Sequence, residues 1–118
     1  MSERCVIRES EVERMLVSEA ARIGGRAYKW VSPGNNGVPD RIVILPGGRV
    51  CFVELKTPVG VLSPMQKVQI RTLKSLGTDT DTVYGLKGLA EWFEDRGYPE
   101  SAARVREKLE RMARGALW

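Results

Sequence analysis

The chain is 118 residues long, with 42% hydrophobic and 29% charged residues, a balance that suits one folded domain and excludes a disordered chain. Nineteen Lys and Arg against fifteen Asp and Glu give a net charge of +4, which suits a polyanionic partner without requiring one. Two cysteines and no histidine exclude the common zinc sites and every histidine-based triad, so any metal chemistry must use oxygen ligands.

The apolar runs Ile42 to Leu45 and Val50 to Val53 are far shorter than the roughly 18 residues of a membrane-spanning helix. The N-terminal MSERCVIRES is charged where an export signal would be apolar, giving the expectation of a cytoplasmic protein with no membrane partner. In that reducing compartment Cys5 and Cys51 should not pair, and Cys51 reads as a small core residue.

In chain order, Ser10 to Gly25 reads as a first helix, with Val12, Met15, Leu16 and Ala20 at helical spacing and Gly24-Gly25 as a stop. Ser10 and Glu13 fit a capping box. Arg26 to Val31 is a short strand, followed by a loop of turn formers over residues 32 to 39. Arg41 to Leu45 and Arg49 to Leu55 are strands rich in Val and Ile, joined as a hairpin through Pro46-Gly47-Gly48. Ser63 to Leu76 is a second helix with Pro64 at its first position and Gly77 as terminator. Thr78 to Tyr84 is a fourth strand, and Leu86 to Asp95 and Glu100 to Arg114 are helices separated at Gly97 and Pro99. The expectation is one domain over residues 1–118, an α/β core over about 10–95 and a helical extension over about 96–118.

Alternation along Arg49 to Lys56 places Val50, Phe52, Glu54 and Lys56 on one face and Cys51, Val53 and Leu55 on the other. Charges ending an apolar strand are costly unless they have work to do. A three-residue turn sets Leu45 opposite Arg49 and so Asp40 opposite Glu54, whereas a two-residue turn would set Asp40 opposite Leu55. In the first register two carboxylates meet and repel unless a cation lies between them, and oxygen ligands favour magnesium or manganese. Lys56 could then orient water or neutralise charge developing on a phosphate. Read for structure alone, Asp40 caps a turn after Pro39 and Glu54 with Lys56 forms a surface pair.

Gly37-Val38-Pro39-Asp40-Arg41, Val53-Glu54-Leu55-Lys56 and Leu62-Ser63-Pro64-Met65-Gln66 together closely resemble the virus-type replication-repair nuclease (VRR-NUC) domain of the PD-(D/E)XK nuclease superfamily. The resemblance runs from about Ser10 to Tyr84. It implies a restriction-endonuclease-like core, a mixed sheet flanked by helices in the order α-β-β-β-α-β, with further C-terminal helices here.

It also implies that Asp40, Glu54 and the Leu55 carbonyl ligate magnesium or manganese and that Lys56 is the catalytic lysine. A glutamate of the first helix usually joins them: Glu13 is the choice, with Glu11 and Glu9 as competitors. Gln66 would lie beside the site, although Ser63 to Gln66 is equally a capping box. Lys29 and Arg41 could contact phosphate or simply be solvated, and Trp30 could stack on an unpaired base or pack internally. Gly34 and Gly37 could bring backbone amides to a phosphate or serve an ordinary turn.

The implied activity is a metal-dependent, structure-selective endodeoxyribonuclease acting on branched DNA such as four-way junctions. Stand-alone members resemble phage-type dimers, so a phage or prophage origin and a homodimer are expected, with the basic C-terminal helices joining the dimer interface or holding DNA. The alternatives are a non-catalytic DNA-binding module on the same fold, and a restriction-type or RNA-directed nuclease.

Overall fold

The computed structural model describes residues 8–115, so Cys5 and the final three residues lie outside the described part. The elements are α1 (Glu9–Arg22), β1 (Arg26–Lys29), β2 (Arg41–Leu45), β3 (Arg49–Lys56), α2 (Pro64–Ser75), β4 (Asp79–Tyr84), α3 (Gly85–Asp95) and α4 (Pro99–Gly115). Strands β1, β2 and β3 form an antiparallel meander, and α2 is the crossover that lets β4 add in parallel to β3, giving a mixed sheet in the order β1-β2-β3-β4.

The hairpin register follows from its turn. Gly47 and Gly48 have φ of 86° and 80°, a left-handed backbone that side chains with a Cβ resist. The Gly48 amide donates to the Leu45 carbonyl at 3.2 Å. Leu45 therefore faces Arg49, and the ladder counts outward to Arg41 opposite Val53, the register expected of a three-residue turn.

One sheet face carries the core. Val43, Cys51, Val53 and Leu55 are fully buried against Val12, Leu16 and Ala20 of α1 and Leu89 and Phe93 of α3. The apolar spacing of Val12, Leu16 and Ala20 gives α1 a single packed stripe. Ala102 and Val105 of α4 are buried in the same cluster, so the C-terminal helix packs into that core. Cys51 fills its expected core position, its thiol pushed up to about 11 by burial and by its bond to Asp79.

The opposite face carries Phe52 and Glu54, paired across to Thr80 and Thr82. Helix α2 reaches the β4 side of the sheet, where the Thr78 hydroxyl donates to the Leu73 carbonyl at 2.7 Å. Tyr28, Ile44 and Val50, on the β1 side of the face that bears Phe52, are exposed. No helix among the described residues is long and apolar enough to cross a membrane.

Most element boundaries shift by a residue or more, and those around α1, β1 and β3 bear on the site. α1 begins at Glu9, so Ser10 is inside the helix and its expected capping box with Glu13 does not form; Arg8 is the N-cap and offers no side-chain bond. Helix α1 ends at Arg22 rather than Gly25, and β1 ends at Lys29, although the Trp30 amide still donates to the Asp40 carbonyl at 2.9 Å. β3 continues one residue further, through Lys56.

Candidate active site

Strand β3 delivers Glu54 and Lys56 to one face two residues apart, and the end of the β1–β2 loop delivers Asp40 beside them. Glu54 is only 2% exposed, an unusual place for a carboxylate. Lys56 Nζ stands 3.7 Å from Glu54 Oε2. The Leu55 amide donates to Asp40 Oδ2 at 3.0 Å, fixing the Asp40 carboxylate against the strand that carries Glu54.

The loop between β1 and β2 is held in place by a close backbone approach. Gly37 has φ of 87°, and a Cβ there would lie 2.6 Å from the Met65 carbonyl carbon and 2.8 Å from the Gln66 nitrogen. Only glycine allows the loop to press against the first turn of α2. Gly37 is thus a packing glycine. Pro39 is fully buried just before Asp40.

Gln66 joins the site from α2 and performs both expected roles at once. Its Oε1 accepts from the Ser63 backbone amide at 2.8 Å, while the Gln66 backbone amide donates to Ser63 Oγ at 3.2 Å, closing the capping box. Its Nε2 donates to Glu54 Oε2 at 3.0 Å. The two ends of the amide face an N–H and a carboxylate, which fixes its orientation by hydrogen-bond chemistry.

The acidity of Glu54 follows from these neighbours. Burial first, and then the Asp40 carboxylate, push its pKa up to about 7 against the opposing charge of Lys56. The Asp40 carboxylate thus works against ionisation of Glu54. Glu54 Oε1 is buried and has no hydrogen-bond partner, which leaves a lone-pair donor facing an unsatisfied position.

The three glutamates in the first turns of α1 differ in their partners. Glu9 belongs with the cluster: burial raises its pKa, followed by Asp40, with Lys56 opposing, and Glu9 also raises that of Glu54. Glu13, the expected helix carboxylate, instead pairs with Arg41, and Glu11 pairs with Lys108 and Arg14. Glu13 is thus engaged by Arg41, and Glu9 is the α1 glutamate whose charge acts on Glu54.

Arg41 does not present itself to a phosphate. It is largely buried, donates to the Ala27 carbonyl at 3.4 Å and is neutralised by Glu13. Trp30 stacks on Phe52 with ring centroids 5.1 Å apart, so its contact here is internal. Lys29 is exposed at the end of β1.

The donor set suits a hard divalent cation: two adjacent carboxylates in mutual repulsion, one with a buried, unpartnered oxygen. Among the described residues no three or more His, Cys, Asp or Glu side chains converge into a cage.

No family model matches the sequence. The chain is 51% identical over 72 residues, covering 61% of itself and 77% of the relative, to a protein named "Putative nuclease p44" of Acyrthosiphon pisum secondary endosymbiont phage 1. Its fold matches a solved structure described as "VRR_NUC domain", with a TM-score of 0.62 at 24% identity over 84% of this chain and 94% of that one. A second, described as "VRR_NUC domain protein", matches with a TM-score of 0.62 at 20% identity over 75% and 87%. With the Asp40, Glu54, Lys56 and Gln66 constellation in place on this fold, the chain belongs to the VRR-NUC family.

Proposed function

We propose that this protein is a magnesium- or manganese-dependent endonuclease that hydrolyses phosphodiester bonds in branched DNA such as four-way junctions. The observation that carries the reading is Glu54, a buried carboxylate set between Asp40, Lys56 and Gln66 with one oxygen unpartnered. Family membership and the phage relative named a nuclease support the hydrolytic class. The branched substrate and a two-fold homodimer rest on the resemblance to stand-alone phage-type members, and two sites on one axis would suit symmetric cleavage.

Asp40, Glu54 and the Leu55 carbonyl would hold the metal, with Glu9 completing the acidic side. The bound ion would polarise the phosphodiester and acidify attacking water. Lys56, 17% exposed at its side chain and 3.7 Å from Glu54 Oε2, places a fixed positive charge where negative charge develops on the phosphate. Gln66 holds Glu54 in position, and the Leu55 amide holds Asp40. Lys29, exposed on β1, is available to a neighbouring phosphate.

A non-catalytic DNA-binding module would have no use for an intact acid and lysine set. The deciding experiment offers linear, flap and four-way DNA, and the matching RNA, with magnesium, manganese or chelator. Cleavage of the four-way DNA with metal alone, abolished in Lys56→Ala with melting unchanged, is expected. Full activity in that variant, or equal activity in chelator, overturns the proposal.

A further inference from the structure

We propose that the flank of α2 formed by Lys67, Arg71 and Lys74 is the track that grips the sugar-phosphate backbone of the DNA leading away from the site. It rests on the nuclease reading above and names the surface that holds the substrate.

Most cations among the described residues are already in ion pairs. On α4, Arg104 pairs with Glu19 at 2.8 Å, Arg106 with Glu94 at 2.8 Å and Arg111 with Glu107 at 2.9 Å. Lys108 and Arg114 lie 3.7 Å from Glu11 and Glu110 respectively. The basic C-terminal helix, though rich in arginine, therefore offers little net field to DNA.

Helix α2 is built the other way. Its sequence PMQKVQIRTLKS contains no acid, and among the described residues none of its three cations enters an ion pair. At about 100° per residue, Lys67, Arg71 and Lys74 fall within an arc of about 60°. All three are exposed, while Ile70 on the neighbouring flank is buried. They do not hold the fold together.

The stripe also has the right place and length. Lys67 follows Gln66, whose Nε2 bonds Glu54 Oε2 at 3.0 Å, so the row of charge begins one residue from the site. From Lys67 to Lys74 the helix rises about 10 Å, close to three nucleotide steps of about 3.4 Å along a duplex. Three uncompensated cations spread over that length are complementary to a run of phosphates, each of which releases counterions when neutralised.

The test measures binding of a fluorescent four-way DNA junction in chelator, where nothing is cut, across a salt series. The triple variant Lys67→Gln, Arg71→Gln, Lys74→Gln is compared with wild type and with the α4 control Arg106→Gln, Arg111→Gln. Loss of three phosphate contacts lowers the slope of log affinity against log salt by about 2.7. Between 50 and 200 mM salt, wild type then loses about 40-fold more affinity than the triple variant. The α4 control keeps the wild-type slope, and both variants keep the wild-type melting temperature. An unchanged slope in the triple variant, or an equal fall in the control, overturns the track while the nuclease reading stands. A wild-type protein that neither binds nor cuts any DNA overturns both.

Discussion

Gln66 Nε2 donates to Glu54 Oε2 at 3.0 Å while Gln66 Oε1 accepts from the Ser63 amide at 2.8 Å, so one side-chain amide ties the start of α2 to the buried acid of β3. Two substitutions separate its duties. Gln66→Glu can still close the capping box, since glutamate serves at that position, but it sets a carboxylate against Glu54. Melting should stay near wild type while kcat falls at least tenfold. Gln66→Ala loses the cap as well, costing about 1 kcal/mol. Equal kcat in Gln66→Glu and wild type would show that the bond to Glu54 does nothing for the reaction.

Gly37 makes a second, purely steric link between the same two regions. Alanine there would have to hold a φ of 87° with its Cβ 2.6 Å from the Met65 carbonyl carbon. The left-handed conformation and the overlap together cost about 3 kcal/mol. Gly34 has φ of 81° but nothing within 4 Å of a Cβ, so Gly34→Ala should lose only about 1 kcal/mol. Urea denaturation of the two variants checks this; similar losses would mean that the loop does not press on α2.

Much of this arrangement was legible in the sequence because strand parity and turn length are local rules. Alternation put Glu54 and Lys56 on one face, and Pro46-Gly47-Gly48 set the register that brings Asp40 to them. Ser63 to Gln66 announced a capping box that forms. Ser10 to Glu13 announced one that does not, since the helix starts one residue earlier at Glu9. Two local patterns of equal quality thus had different outcomes, decided by tertiary contacts: Glu13 was drawn to Arg41, 28 residues away. The pairing of α4 arginines with Glu19 and Glu94 is likewise a product of helix packing, and net charge alone could not reveal which cations stay free.

The division of the α1 glutamates predicts opposite phenotypes. Glu9→Gln removes a negative charge from beside Asp40 and Glu54, so manganese affinity measured by calorimetry should drop about tenfold or more with stability kept. Glu13→Gln leaves the largely buried Arg41 without its counter-ion, costing about 1 kcal/mol of stability with metal affinity nearly unchanged. If Glu13→Gln lost the metal and Glu9→Gln retained it, the assignment would be reversed.

Glu54 makes stability depend on pH in a direction opposite to that of an ordinary paired carboxylate. Its pKa lies at about 7 in the fold, above the usual 4.5, first through burial and then through Asp40. The folded state therefore favours its protonated form: the contribution to stability is complete below about pH 4.5 and is lost as pH rises through about 7. Glutamine mimics the protonated acid at every pH. In chelator, Glu54→Gln should gain about 3 kcal/mol on wild type between pH 4.5 and pH 8. A divalent cation competes with that proton, so manganese should raise the wild-type melting temperature strongly at pH 8, weakly at pH 5.5, and not at all in Glu54→Gln. Melting curves that show the same difference between the two proteins at both pH values would mean that Glu54 is ionised throughout and is not the group that a cation must deprotonate.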